Sequence, residues 1–290
     1  MFTIVAVALR ILVNPLVNVF QKRICAEGQS PWVASFLTYF GLSFLVLPWA
    51  WDISWEALPR NVWGYTVLIG LLSALGNGCL VKAMQSGELS VLGPINAWKP
   101  VIGLICGIFL LGEIPNVTGL AGLLLILAGS YFIVGADSTS SRFSWNFLRR
   151  RDLQYRIAAM VLGAVEAGFI KSMIIDTNPH VTFMLWCWSG MIFSFLFLWV
   201  RGNTDWKQEW NRTKQLKGSY LVLILSVGLM QLMTNYAFDK IAVGYALALF
   251  QLSAVLSVFY GWLFFNETKI YRKLAASMVM VAGSILIIWN

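Results

Sequence analysis

Of 290 residues, 59% are apolar and 12% are charged, about half the charged share of an average soluble domain. With 14 Trp and 19 Phe this is too much apolar surface for one core beneath a wetted exterior, so lipid is the expected solvent. The net charge of +8 reflects basic stretches between apolar runs, which suit anionic headgroups and not nucleic acid.

A membrane-crossing helix needs about 20 mostly apolar residues, and ten runs of the chain qualify. The first, 2–21, has no charged leader and no small-residue cleavage site, so it is expected to remain as a helix. Arg10, Asn14 and Asn18 recur in it at every fourth residue and share one helix face. The second and third runs are 31–51 and 61–81, with Trp49, Trp51, Trp55 and Trp63 near their ends, where the headgroup layer favours amphipathic rings. The fourth, 90–111, places Asn96 and Lys99 on one face. Pro94 and Pro100 should kink it, because each removes a backbone donor. Gly103 and Gly107 form a GxxxG pattern that reads as close helix packing. The fifth run is 116–136. A polar stretch at 137–155 containing Arg149, Arg150 and Arg151 follows, and it separates a first unit (1–136) from a second (156–290). The sixth run, 156–174, carries Glu166, and the seventh is 180–200. Past a second polar stretch, 201–217, the eighth run (218–238) aligns Gln231, Asn235 and Asp239. The ninth, 243–265, holds Gln251, and the tenth is 271–289.

The two units repeat each other. An offset of 154 pairs Val101 with Val255, Gly107 with Gly261, Glu113 with Glu267, and Ala128-Gly129-Ser130 with Ala282-Gly283-Ser284. An offset of 148 or 149 pairs Phe20 with Phe169, Lys22 with Lys171, Pro31 with Pro179 and Gly41 with Gly190. Five helices per repeat is an odd number, so the second copy enters the membrane from the opposite side. The expected fold is an all-α integral membrane protein of ten helices in two inverted five-helix repeats, a layout common among secondary transporters.

Leu111-Gly112-Glu113, followed by Gly119 and Ala128-Gly129, resembles the EamA-type signature of the drug/metabolite transporter superfamily. Phe265-Asn266-Glu267 with Ala282-Gly283 repeats it in degraded form, and Lys22 followed by Ser30-Pro31 resembles that family's first-helix ending. The resemblance implies a transporter, with a proton or an exchanged metabolite as coupling partner. The sequence itself shows a lone His180, no CxxC pair, no Walker loop and no GxGxxG, so no enzyme, cofactor or metal is expected. The related four-helix multidrug members carry a coupling Glu eight residues before the Lys; those positions here are Asn14 and Gly163.

Lys and Arg counts orient the chain. Loops after odd-numbered helices hold sixteen of the 21, and loops after even-numbered helices hold three, which puts the odd loops in the cytoplasm and both termini outside. The resemblance implies cytoplasmic termini, and the charge count is followed. The expected location is a bacterial inner (cell) membrane.

Arg10, Lys99 and Glu166 stand near the expected bilayer midplane, each at a cost of about 2.5–3.5 kcal/mol, and are read as substrate or coupling groups. Asn14, Asn18, Asn96, Gln231, Asn235 and Gln251 complete the expected substrate-binding set, with Trp98, Trp186, Trp188 and Tyr245 as candidate aromatic walls. Two cations against one carboxylate favour an anionic or zwitterionic small metabolite. A flippase for a phosphate-linked lipid or glycolipid and a non-transporting membrane subunit remain as alternatives.

Overall fold

A computed structural model describes residues 2–86, 98–135, 151–202, 204–253, 255–256 and 270–288. Asn96, Pro94 and Glu267 lie outside the described residues. Every element is helical: α1 (Phe2–Ala26), α2 (Pro31–Leu45), α3 (Arg60–Ser86), α4 (Lys99–Leu111), α5 (Val117–Gly135), α6 (Arg151–Asp176), α7 (Pro179–Arg201), α8 (Trp206–Gln215), α9 (Lys217–Lys240), α10 (Val243–Phe250) and α11 (Ile270–Ile288). Five of them, α1, α3, α6, α7 and α9, are long and apolar enough to cross a membrane. The chain is a multi-pass membrane protein.

Several boundaries differ from the sequence expectation. The second run was expected to reach residue 51, but α2 stops at Leu45 and the chain continues as a 3₁₀ turn over Leu47–Asp52. Pro48 accounts for the break, since it has no N–H to continue the helical ladder. The sixth helix begins at Arg151, which brings Arg156 inside it. The stretch 201–217 contains α8, started by Asp205, whose side chain accepts the Gln208 N–H at 3.1 Å. Pro100 does not interrupt a helix among the described residues. It sits in the first turn of α4, where a missing N–H costs nothing.

The packing follows the internal repeat. α1 lies against α9 and α3 against α6, an exchange of equivalent partners, while α2 packs on α7, α4 on α10 and α5 on α11. Small residues let the last pair approach: a Cβ on Gly122 would fall 2.6 Å from the Gly283 carbonyl oxygen, and one on Gly283 would fall 2.6 Å from the Gly122 oxygen. The repeat extends to the backbone. Trp98 and Leu252, 154 residues apart, are both turn residues, and the Val101 N–H bonds to the Trp98 oxygen (3.1 Å) as the Val255 N–H does to the Leu252 oxygen (3.0 Å). Both repeats therefore place the same turn at equivalent positions.

Gly112 explains the Leu-Gly-Glu motif. At φ 65° it ends α4 in the left-handed region, and the Glu113 N–H returns to the Gly107 oxygen at 3.1 Å. The reversed chain folds the Glu113 carboxylate back over Gly107, where a Cβ would collide with Oε2. Gly103 does serve helix packing, because a Cβ there would meet Leu247 of α10, but Gly107 makes room for a carboxylate.

Candidate functional site

A cavity of about 260 Å³ lies between the repeats, at the small end of the roughly 300–1,000 Å³ typical of ligand pockets. Arg10, Asn14, Asn18, Lys99, Glu166, Gln231 and Gln251 all line it. Asn235 does not. It is fully buried, donating to the Pro179 carbonyl at 3.1 Å and accepting from Gln231 Nε2 at 3.1 Å, so it ties α9 to the start of α7. Asp239 is also elsewhere, paired with Lys240 at 2.9 Å. Of the four aromatic candidates only Trp186 reaches the cavity. Trp98 is exposed, Trp188 stacks on Trp55 with centroids 5.9 Å apart, and the Tyr245 hydroxyl lies 3.4 Å from the Asn116 oxygen.

The lining repeats by sequence offset. Arg10, Asn14, Val17, Asn18 and Gln21 on α1 correspond, 149 residues on, to Ala159, Gly163, Glu166, Ala167 and Ile170 on α6, and all ten line the cavity. Ser73, Gly76, Asn77 and Leu80 on α3 correspond in the same way, at 154, to Val227, Met230, Gln231 and Thr234 on α9. Lys99 and Ser253, each next to one of the two equivalent turn residues, form another such pair. Position is shared between the repeats, but chemistry is not: α1 presents one cation and three amides where α6 presents small or aliphatic groups and one carboxylate.

Each charge is held differently. Arg10 Nε donates to the Thr234 hydroxyl at 2.9 Å and its guanidinium lies 4.8 Å from the Phe250 ring centre, yet Nη1 has no hydrogen-bond partner among the described residues. Lys99 opens α4, and its ammonium rests over Gly163, 2.9 Å from where a Cβ would stand. It feels Glu166, Arg10 and Arg156 electrostatically. Glu166 Oε1 accepts the Ser73 hydroxyl and the Trp186 indole N–H, the latter at 2.8 Å. Asn14 donates to Ser253 at 3.0 Å and Asn77 to Ser35 at 2.6 Å.

Sequence reading did not single out Ser73, Tyr39, Asn77, Gln21 or Arg156, all of which line the cavity. Arg156 was counted with the loop cations because the sixth helix was started too late. The small polar residues had no periodic partner to mark them.

Just past one end of the cavity lining stands an ion pair. On α6 the lining runs from Arg156 to Ile170 and stops one residue short of Lys171. Lys171 Nζ lies 2.5 Å from Glu113 Oε1 and donates to the Ile241 oxygen at 2.8 Å, while Glu113 Oε2 accepts the Val243 N–H at 2.9 Å. These contacts join α6, the α4–α5 turn and the α9–α10 turn. Towards the other end, Asn18 is exposed to solvent.

Known proteins agree with this architecture. A solved crystal structure resembles the chain with a TM-score of 0.69, covering 96% of this chain and 95% of that one at 16% identity, which speaks for the fold alone. Two proteins of Streptococcus pyogenes, one from serotype M1 and one from serotype M3 (strain SSI-1), carry the name "putative sugar uptake protein". Each is 24% identical over 264 residues, covering 87% of this chain and 86% of its own length. The family model described as "EamA-like transporter family" matches twice, over residues 2–135 and 153–289, one match for each structural repeat. With both repeats matched and a lined cavity between them, the chain belongs to the EamA-like transporter family.

Proposed function

We propose that this protein is a secondary transporter of ten helices in two inverted repeats, which carries a small polar metabolite with an anionic group by alternating access through the central cavity. The observation that carries the reading is Arg10: a buried guanidinium at the cavity wall with an unpartnered Nη1 and Lys99 and Arg156 close by. Among the described lining residues, Arg10 and Lys99 stand against the carboxylate of Glu166, a balance that an anionic or zwitterionic ligand would complete. The start of α4 at Lys99 adds the positive end of a helix dipole, the device broken transporter helices use for anionic groups.

The relatives' name adds a sugar to the candidates, and a sugar acid or sugar phosphate unites it with the cationic wall. Asn14, Asn18, Asn77, Gln231 and Gln251 offer both donors and acceptors to hydroxyls, and Trp186 offers a ring. That amide set and the relatives' name also favour a second reading, a neutral sugar. Both readings place the protein in a bacterial cell membrane with the odd-numbered loops in the cytoplasm.

Proteoliposome uptake separates them. The native protein and folded Arg10→Gln and Lys99→Gln variants would be compared on a hexose, a hexose phosphate, a sugar acid and an amino acid. Charged hydrogen bonds contribute about 1.5–3 kcal/mol, so either variant should weaken anionic substrates about 10- to 100-fold and shift preference to neutral analogues. If both variants carry a neutral sugar with native affinity and the anions are not carried, the anionic reading falls.

A further inference from the structure

The helix α8 has no part in the cavity, yet it is built with care. Its buried carboxylate, Glu209, accepts Gln29 Nε2 at 2.7 Å, the Ser30 N–H at 3.1 Å and Arg212 Nη1 at 3.4 Å. Gln29 is itself fully buried. These bonds fix α8 against the turn between α1 and α2. Around the buried carboxylate the helix is largely exposed. Trp206 and Trp210 stand one turn apart, and Lys207 and Lys214 stand two turns apart around Trp210, with the Lys214 ammonium 5.6 Å from the Trp210 ring centre.

Between α8 and α2 lies an almost wholly apolar cleft of about 210 Å³, lined by Val33, Leu37, Trp206, Glu209, Trp210 and Thr213. It continues onto an apolar ridge on α2. Phe36 meets Trp206 edge to face at 6.4 Å and is followed by Phe40 at 5.7 Å and Phe44 at 4.9 Å, each a turn further along the helix. Phe40 and Phe44 are exposed on a helix that lies among membrane spans. Eight residues of helix rise about 12 Å, close to the depth of one leaflet's hydrocarbon. Trp at this level marks the headgroup layer, and Lys beside it attracts anionic lipid.

We infer that α8 and α2 form a binding site for one anionic phospholipid. Its headgroup phosphate sits between Lys207 and Lys214, and an acyl chain enters the cleft and follows the Phe36–Phe40–Phe44 ridge. Charge complementarity argues for the anion: residues 201–217 carry five Lys and Arg against Asp205 and Glu209, and Glu209 is turned inward. The apolar cleft and ridge argue for a chain-bearing ligand and against free phosphate.

Native mass spectrometry of the detergent-purified protein tests this with phosphatidylglycerol, phosphatidylcholine of matched chains, and dihexanoyl phosphatidylglycerol. Long-chain phosphatidylglycerol should bind as a single retained copy, more tightly than the other two. The surface variant Lys207→Gln/Lys214→Gln should weaken it about thirtyfold, from the loss of two lysines at a lipid headgroup. Leu37→Trp should fill the cleft and weaken the long-chain lipid while leaving the short-chain one unchanged. Equal retention of phosphatidylcholine, or a lysine variant that binds phosphatidylglycerol as the native protein does, overturns the site.

Discussion

Removing the Lys171 ammonium should loosen the helix contacts that close the structure next to one end of the cavity. The side chains of Lys171 and Glu113 are only 12% and 14% exposed, so Lys171→Met would leave a carboxylate buried without its counter-charge. Breaking such a pair by removing one partner costs about 3–5 kcal/mol. The penalty is paid only while that end is closed, because an opened Glu113 is hydrated. At about 1.4 kcal/mol per factor of ten, the equilibrium between closed and open should move by roughly 100- to 4,000-fold. Spin labels at Ile114 and Ile175, both exposed and flanking the pair, would report the change as a longer, broader distance distribution in lipid nanodiscs. The double variant Glu113→Gln/Lys171→Met removes both charges and should return most of the population to the short distance. Two results would refute the reasoning: a folded Lys171→Met protein with the native distribution, or a double variant as open as the single one.

Three further outcomes are expected. Gly163→Ala places a methyl 2.9 Å from the Lys99 ammonium, the free end of a flexible side chain, so the fold should hold or gain up to about 1 kcal/mol from helix propensity while uptake of an anionic substrate weakens; unchanged uptake kinetics would show that the position of Lys99 is immaterial. Asn235→Ala strips the Pro179 carbonyl of its side-chain donor and should lower thermal stability by about 1–3 kcal/mol with substrate affinity retained, whereas Gln231→Ala should do the reverse; a common effect on affinity would return Asn235 to the site. A reporter fused after Asn290 should be active only outside the cytoplasm, and cytoplasmic activity would reverse the orientation drawn from the Lys and Arg counts.

Much of the architecture was legible because lipid writes its constraint in long apolar runs, and because a repeat leaves matching glycines and charges at fixed offsets. The three midplane charges were legible for the same reason: an ionised side chain inside such a run is costly and therefore conspicuous. Boundaries were less so. Hydropathy could not see that Pro48 halts α2, nor that Asp205 starts a surface helix within a polar stretch. On α1 the four-residue stripe of Arg10, Asn14 and Asn18 lines the cavity throughout, whereas its counterpart on α9 does not. Gln231 and Asn235 share a face, yet only Gln231 meets the cavity, since Asn235 is taken up by the α7 backbone. Periodicity gives the side of a helix, and the depth at which neighbours close over it is a tertiary property.

The offsets carry one further consequence for a transporter of alternating access. Because α1 and α6, and α3 and α9, contribute matching positions to the cavity, the proposed alternating-access cycle would let a solute there face either side without leaving its site. A lining that was symmetric in chemistry as well would bind a solute equally in two reversed poses. Arg10, Asn14 and Asn18 opposed to Ala159, Gly163 and Ala167 remove that degeneracy: polar groups gather at α1, and the smooth wall of α6 admits the ammonium of Lys99 over Gly163. Glu166 stands where α1 has Val17, and it is held there by Ser73 and Trp186. Under the proposed function, a solute with its anionic group at Arg10 and Lys99 would be oriented by these side chains, although the lining positions match between the repeats. Exchanging the pair, as in Asn18→Ala/Ala167→Asn, would keep the composition of the cavity and move one amide from the α1 wall to the α6 wall. Loss of selectivity with preserved folding is the expected result, and native selectivity in uptake assays would show that the asymmetry does not orient the solute.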